Sequence, residues 1–380
     1  MKKKIGILTQ PLTNNYGGIL QNYALHKVLK QNNLHPCTIN RQFPPASKRI
    51  LFASVLKRAI DKYILRKDVV VRVWETKKEE AVINQHFNRF IDENINTTSP
   101  IYCNLDSHLI KKYACNAYIV GSDQVWRPQY SPCITNYFFD FLDRQQNVKK
   151  IAYAVSFGVD NWEFTVEQTE ECSNLAKQFD AISVREDSAI DLCKQHFEVE
   201  ATHVLDPTML LTKEDYIHLT ELDNTPKKEN ILFSYTLDKS DDKISFIRQI
   251  AKKYKLQSVS GMPSNSFALK KSKKDLSDCI FPSITEWIAG FRDARFVVTD
   301  SFHGTVFAIL FNKPFVVFAN EKRGNARMNS LLKMFNLEDR LVTSTDFDSN
   351  LFELNYSGIN NILEKERDKS ITFLLNALKL

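Results

Sequence analysis

The chain has 380 residues, 43% hydrophobic and 25% charged, enough for two domains of ordinary size with substantial cores. A net charge of +6 suits anionic ligands or an anionic membrane surface, and without any DNA- or RNA-binding motif it gives no sign of a nucleic-acid partner. No run of about 18 apolar residues is available to span a bilayer. Seven cysteines without a Cys-x-x-Cys pair point to a reducing compartment rather than a zinc site or disulfide framework.

Met1-Lys-Lys-Lys leads into Ile5-Gly-Ile-Leu8, too short an apolar stretch for a signal peptide, so the start reads as the first strand of a cytoplasmic protein. That strand, 4–9, is followed by Asn14-Asn-Tyr-Gly-Gly18 and a predicted helix over 19–30. Glycines allow close backbone approach to a ligand, and a helix start offers unpaired N–H groups. Asn15, Tyr16, Gly17, Gly18 and Gln21 are therefore candidate contacts, although an ordinary tight turn uses the same residues.

Residues 47–67 read as a basic amphipathic helix. Phe52, Leu56, Ile60, Tyr63 and Ile64 share one face, and Lys57, Arg58, Lys62 and Arg66 lie around the other. Such a helix either packs its apolar face inward or rests peripherally on an anionic membrane, here the inner face of the cytoplasmic membrane.

Strands are predicted at 117–121, 150–155, 181–184 and 203–205, each closing in polar residues. In Val120-Gly-Ser-Asp-Gln-Val-Trp126, the side chains of Ser122, Asp123 and Gln124 can bind sugar hydroxyls, and Trp126 can offer a flat face to a pyranose. A capped helix with a core tryptophan accounts for the same residues. Ser156-Phe-Gly158, Arg185 with Glu186, and Leu205-Asp-Pro-Thr208 occupy equivalent positions. Asp206 can orient a hydroxyl or a histidine, or simply make an Asp-Pro turn.

The polar stretch 223–230 divides the chain into predicted domains 1–222 and 223–380. A second βα series follows, with strands at 231–235 and 257–260 and helices over 242–254 and 284–292. Arg295-Phe-Val-Val-Thr-Asp-Ser-Phe-His-Gly-Thr then runs from a buried strand through a sharp polar turn into an apolar helix and a further strand ending at Phe318. Ligands of open α/β sheets sit at such strand ends. Here the turn places Asp300, Ser301, His303, Gly304 and Thr305 at a helix start suited to an anion. Arg323 and Arg327 follow, able to hold a carboxylate or phosphate in bidentate fashion. An amphipathic helix over 361–380 closes the chain. The alternation predicts an α/β fold of two Rossmann-like domains facing across a cleft.

At this point the chain resembles the polysaccharide pyruvyl transferase family. The residues that carry the resemblance are Asn15-Tyr-Gly-Gly-Ile-Leu-Gln21, Val120-Gly-Ser-Asp-Gln-Val-Trp126, Ser156-Phe-Gly158 and Ile182-Ser-Val-Arg-Glu186, followed by Leu205-Asp-Pro-Thr208, Val298-Thr-Asp-Ser-Phe-His-Gly304 and Arg327 with Ser330-Leu-Leu332. The resemblance implies a fold similar to GT-B glycosyltransferases and transfer of the pyruvyl group of phosphoenolpyruvate to a sugar, forming a ketal and releasing phosphate, in the biosynthesis of capsule, exopolysaccharide or cell-wall polymers. For that chemistry the expected catalytic groups are His303 as general acid or base with Asp300 or Asp206 as an orienting or complementary carboxylate, and Ser301, Gly304, Thr305, Arg323, Arg327 and Arg185 are expected around the donor. Asn15, Tyr16, Gly17, Gly18, Gln21, Ser122, Asp123, Gln124 and Trp126 would hold a lipid-linked or nucleotide-linked acceptor sugar. No metal or other cofactor is expected. The runner-up reading is a GT-B glycosyltransferase with a nucleotide-sugar donor, and a third is a silent scaffold of a polysaccharide assembly complex.

Overall fold

The computed structural model describes residues 3–142, 148–238, 240–319, 324–342 and 352–379. Among these, eleven strands form two wholly parallel sheets. The first contains β1 (Lys4–Leu8), β2 (His35–Thr38), β3 (Ala117–Gly121), β4 (Lys149–Val155), β5 (Ala181–Val184) and β6 (Thr202–His203), in the order β2-β1-β3-β4-β5-β6. The second contains β7 (Ile231–Tyr235), β8 (Gln257–Ser260), β9 (Ala294–Thr299), β10 (Phe315–Phe318) and β11 (Leu341–Val342), in the order β11-β10-β9-β7-β8. Each half thus places its second strand on one side of its first and all later strands on the other. β3 and β7 are buried along their whole length and β9 at every position except Arg295, which is why their sequences are mostly apolar.

This winding gives each sheet one switch point, where neighbouring loops diverge and leave a crevice. In the first half the crevice lies beyond the ends of β1 and β3, where Asn15 and Ser122–Gln124 follow. In the second it lies beyond β7 and β9, where Leu237 and Asp300–Ser301 follow. A bulge shifts the β4–β5 register between Ala152 and Val155, with Ala154 at φ 51° held by the Ser183 hydroxyl. The bulge bends the strand just before Ser156-Phe-Gly158.

One apolar cluster continues through both halves. At its centre the Tyr16 ring stacks on Trp287 at 5.1 Å, and its hydroxyl donates to the Pro282 carbonyl at 2.6 Å. The last helix, Tyr356–Ala377, returns to the first half: Ser370 Oγ accepts from Leu205 N, and Arg367 donates to the Met209 and Leu211 carbonyls. No helix among the described residues is long and apolar enough to cross a membrane.

Candidate active site

Both switch points open on one narrow cavity of about 100 Å³, lined by Asn15, Asp123 and Gln124 from the first half and Asp300, Ser301, His303 and Arg327 from the second. Asn15, Ser301 and Asn325 are the N-caps of the helices Tyr16–Gln31, Phe302–Leu310 and Ala326–Phe335, and all three line this cavity. Three helix N-termini therefore bring their partial positive charge to one place.

His303 sits on the first turn of its helix, directly against the start of the Tyr16–Gln31 helix. A Cβ on Gly17 would lie 1.9 Å from His303 Nδ1 and 2.2 Å from its Cγ, so only glycine admits the imidazole there. His303 Nε2 lies 3.6 Å from Asp206 Oδ2, an ion-pair separation longer than a hydrogen bond. Asp206 is held firmly. Ser122 Oγ and Arg185 Nη1 donate to its Oδ2 at 2.7 and 2.9 Å, and Thr208 donates twice to its Oδ1. Burial pushes the Asp206 pKa up, but His303, Arg185 and Thr208 outweigh it and hold the carboxyl well below the usual range. Asp123 behaves alike: burial raises its pKa, and Arg185, His303 and Arg327 prevail to lower it. Its Oδ2 accepts from Asn15 Nδ2 at 3.3 Å.

Among the described residues that line the cavity, Arg327 supplies a guanidinium. Burial, with Arg185 close behind it, pushes its pKa down to about 10, so it remains charged at neutral pH. Gly324, at φ 81°, brings this segment onto the first half; a Cβ there would meet the Gly158 carbonyl at 2.6 Å. The two halves thus close on each other beside the cavity. Glu186 anchors the opposing loop by accepting from Ser156 Oγ, Phe157 N and Gly158 N.

Several expected contacts have other positions. Trp126 is fully buried and stacked on Phe138 at 4.6 Å, so its ring has no face for a sugar. Tyr16 is equally buried between the halves. Gln21 bonds inward to Thr9 and to the Gly18 carbonyl, while Gly18 N donates to the capping Asn15. Ser122 supports Asp206. Asp300 does not partner His303. Its carboxylate accepts from Leu237 N, Asp238 N and Lys243 Nζ, tying the loop after β7 across the switch point. Arg185 lies behind the cavity wall, pairing with Asp206 and Asp123 and lying 4.3 Å over the Phe302 ring. Gly304 packs on Thr299, and Thr305 donates to the Ser301 carbonyl and Met328 Sδ. Arg323 lies outside the described residues.

The groups expected for donor and for acceptor line the same cavity, Asn15, Asp123 and Gln124 from the first half and His303 and Arg327 from the second. Tyr130, Tyr235 and Asn325 also line the cavity. Only Asn325 carried a sequence signal, as an N-cap residue before the apolar period Met328-Leu331-Leu332-Phe335. A larger cleft of about 1230 Å³ adjoins this cavity, sharing Leu237 and Phe318 with it.

The family model for polysaccharide pyruvyl transferase matches residues 15–322, which include every cavity residue from Asn15 to His303. The chain belongs to the polysaccharide pyruvyl transferase family. It is thus a transferase of polysaccharide biosynthesis, acting on a sugar or polysaccharide acceptor. Arg327 falls just beyond the matched stretch. No curated protein matches the chain in sequence.

Among solved structures, the chain of this pyruvyl transferase family member is similar to UDP-GlcNAc 2-epimerase from Neisseria meningitidis bound to UDP-GlcNAc. The two share 9% identity over 99% of each chain, with a TM-score of 0.50. Arabidopsis thaliana UGT89C1 complexed with UDP-L-rhamnose aligns over 100% of both chains at 9% identity and a TM-score of 0.48. The S. aureus MnaA–UDP structure aligns over 96% of this chain and 88% of its own at 12% identity, with a TM-score of 0.49. At 9% identity the likeness to the Neisseria meningitidis enzyme concerns the fold alone, two parallel α/β halves.

Proposed function

We propose that the protein transfers the pyruvyl group of phosphoenolpyruvate to a sugar diol of a polysaccharide precursor, forming a cyclic ketal. The observation that carries this reading is the convergence of three helix N-termini, Arg327 and His303 on one small cavity. That arrangement suits a compact ligand with two anionic groups, a phosphate and a carboxylate. A cavity of about 100 Å³ is far smaller than the ~300–1,000 Å³ of sites that enclose larger organic ligands. The adjoining cleft has room for an extended sugar acceptor.

In the proposed reaction a proton adds to C3 of phosphoenolpyruvate and positive charge develops at C2. One sugar hydroxyl adds to C2 and releases its proton. The second hydroxyl then forms the other C–O bond as the C2–O bond to phosphate breaks, and its proton leaves with the phosphate. The two hydroxyl protons thus balance the one gained by C3 and the one carried off by phosphate. His303 is the proton-transfer group. Asp206 is a positioning residue: its carboxylate stays ionised and faces His303 Nε2, so it favours one orientation of the ring. Arg327 and the helix ends hold the donor's anionic groups and stabilise the departing phosphate.

The test is incubation with phosphoenolpyruvate and a panel of sugar acceptors, following phosphate release and the ketal methyl group by NMR. Acceptor-dependent phosphate release with a new ketal methyl signal supports the reading. Release of a nucleotide from a nucleotide sugar, with phosphoenolpyruvate untouched, replaces it with glycosyl transfer.

A further inference from the structure

The helix Lys48–Tyr63 projects its apolar ridge into solvent instead of packing it inward. Phe52, Leu56, Ile60 and Tyr63 follow one another at helical spacing, and Phe52 and Tyr63 are 71% and 72% exposed. Seven of the fourteen large apolar side chains exposed among the described residues fall between positions 50 and 65. So dense a cluster on a free surface marks an interaction site.

Charge identifies the partner. Residues 47–67 hold seven basic residues and one acidic, a net +6 that equals the charge of the whole chain, so everything else sums to zero. A second element lies alongside. Lys271 pairs with Asp68 at 2.8 Å, which brings Leu269-Lys-Lys-Ser-Lys-Lys274 next to the end of this helix, and Leu269 is 74% exposed. The neighbouring segment thus adds the exposed Leu269, beside Lys271 and Lys274, to the basic apolar ridge. A protein partner meets such a ridge with a matched apolar groove. A bilayer of anionic lipid accepts the apolar tips into its interface and the cations among its headgroups.

We propose that this face docks on an anionic membrane surface. Leu269 and Ala268 also line the large cleft beside the candidate active site, so docking places the mouth of that cleft at the headgroup plane. There it would meet an acceptor sugar carried on a membrane lipid, a consequence that rests on the functional reading above, whereas the docking itself does not.

Flotation of the full chain with vesicles of phosphatidylcholine, alone or mixed with phosphatidylglycerol, tests docking without any substrate. The wild type should float with the anionic vesicles only, and high salt should release it. Phe52→Glu and Leu56→Glu should each lower partitioning about tenfold. Because both side chains are exposed, these variants should keep the wild-type melting temperature. Lys57→Gln with Lys67→Gln should weaken binding several-fold. Absence of flotation on both vesicle types overturns the proposal, as does equal flotation on neutral vesicles. A wild-type dimer in light scattering that Leu56→Glu converts to monomer also overturns it, assigning the ridge to a second copy of the chain. Phosphoenolpyruvate binding, measured separately in the wild type and Leu56→Glu, reports on the reaction independently of docking.

Discussion

Gly17→Ala adds one methyl group at the point where the two halves meet. The new Cβ would stand 1.9 Å from His303 Nδ1, whereas carbon and neighbouring heavy atoms rest at about 3.5–4.0 Å, so the ring must retreat by about 1.5–2 Å. Retreat moves the imidazole relative to Asp206, now 3.6 Å away, and a shift beyond 1 Å in a reacting group costs about 10²-fold in rate. Overpacking of this kind also costs about 1–3 kcal/mol of stability. Thermal denaturation and phosphate release should be measured on the wild type, Gly17→Ala, His303→Ala and the double variant. Once the imidazole is gone, the methyl group enters vacated space. The stability penalty of Gly17→Ala should then vanish, or reverse by up to about 1 kcal/mol from the helix preference of alanine. Gly18→Ala is the control, since its Cβ would only approach the Asn15 amide at 3.1 Å. A fully active Gly17→Ala variant, or an equal penalty in both backgrounds, would refute the placement of His303 against this helix.

Three further outcomes follow from the same geometry. Asp206→Asn removes a fully buried carboxylate and leaves the Arg185 guanidinium without its best partner, which should cost about 3–5 kcal/mol in chemical denaturation and abolish turnover. Asp300→Ala frees the loop after β7 by losing the contacts to Leu237, Asp238 and Lys243; the KM for the donor should rise well before kcat falls. His26 provides an acid-stability signature. Burial, aided by Lys30, lowers its pKa from 6.5 to about 3. The unfolded chain therefore takes up a proton first as pH falls. The stabilising contribution is complete above about pH 6.5 and is lost progressively toward pH 3, by about 2 kcal/mol at pH 5. His26→Gln, which keeps a donor for Thr38 Oγ1, should flatten that part of the stability–pH curve. An unchanged slope would remove His26 as its cause.

Much of the architecture was legible because buried parallel strands are mostly apolar runs. β2 and β11 escaped notice for the opposite reason: His35-Pro-Cys-Thr is an edge strand without such a run, and Leu341–Val342 has only two residues. The Asp-Ser-Phe-His-Gly turn, expected at a strand end, does line the small cavity. Which carboxylate meets His303 was not readable, since Asp206 and Asp300 both end strands and only the packing of the two halves separates them. Trp126 misled because its pocket is made by Phe138, Phe157, Phe179 and Phe197, residues scattered along the chain. Gly17 looked like a ligand-approach glycine, but the group that approaches it is His303 from the other half. The amphipathic pattern of 47–67 fitted an inward or an outward apolar face equally, and the structure turns Phe52 and Leu56 outward.

Calorimetric titration of phosphoenolpyruvate into the wild type, Arg327→Ala and His303→Ala, beside a panel of nucleoside diphosphate sugars, asks whether the small cavity binds phosphoenolpyruvate. Saturable binding to the wild type, weakened at least about tenfold in Arg327→Ala and retained without turnover in His303→Ala, is the predicted result. Binding of a nucleotide sugar with no phosphoenolpyruvate signal, either alone or after that sugar is bound, would contradict the account.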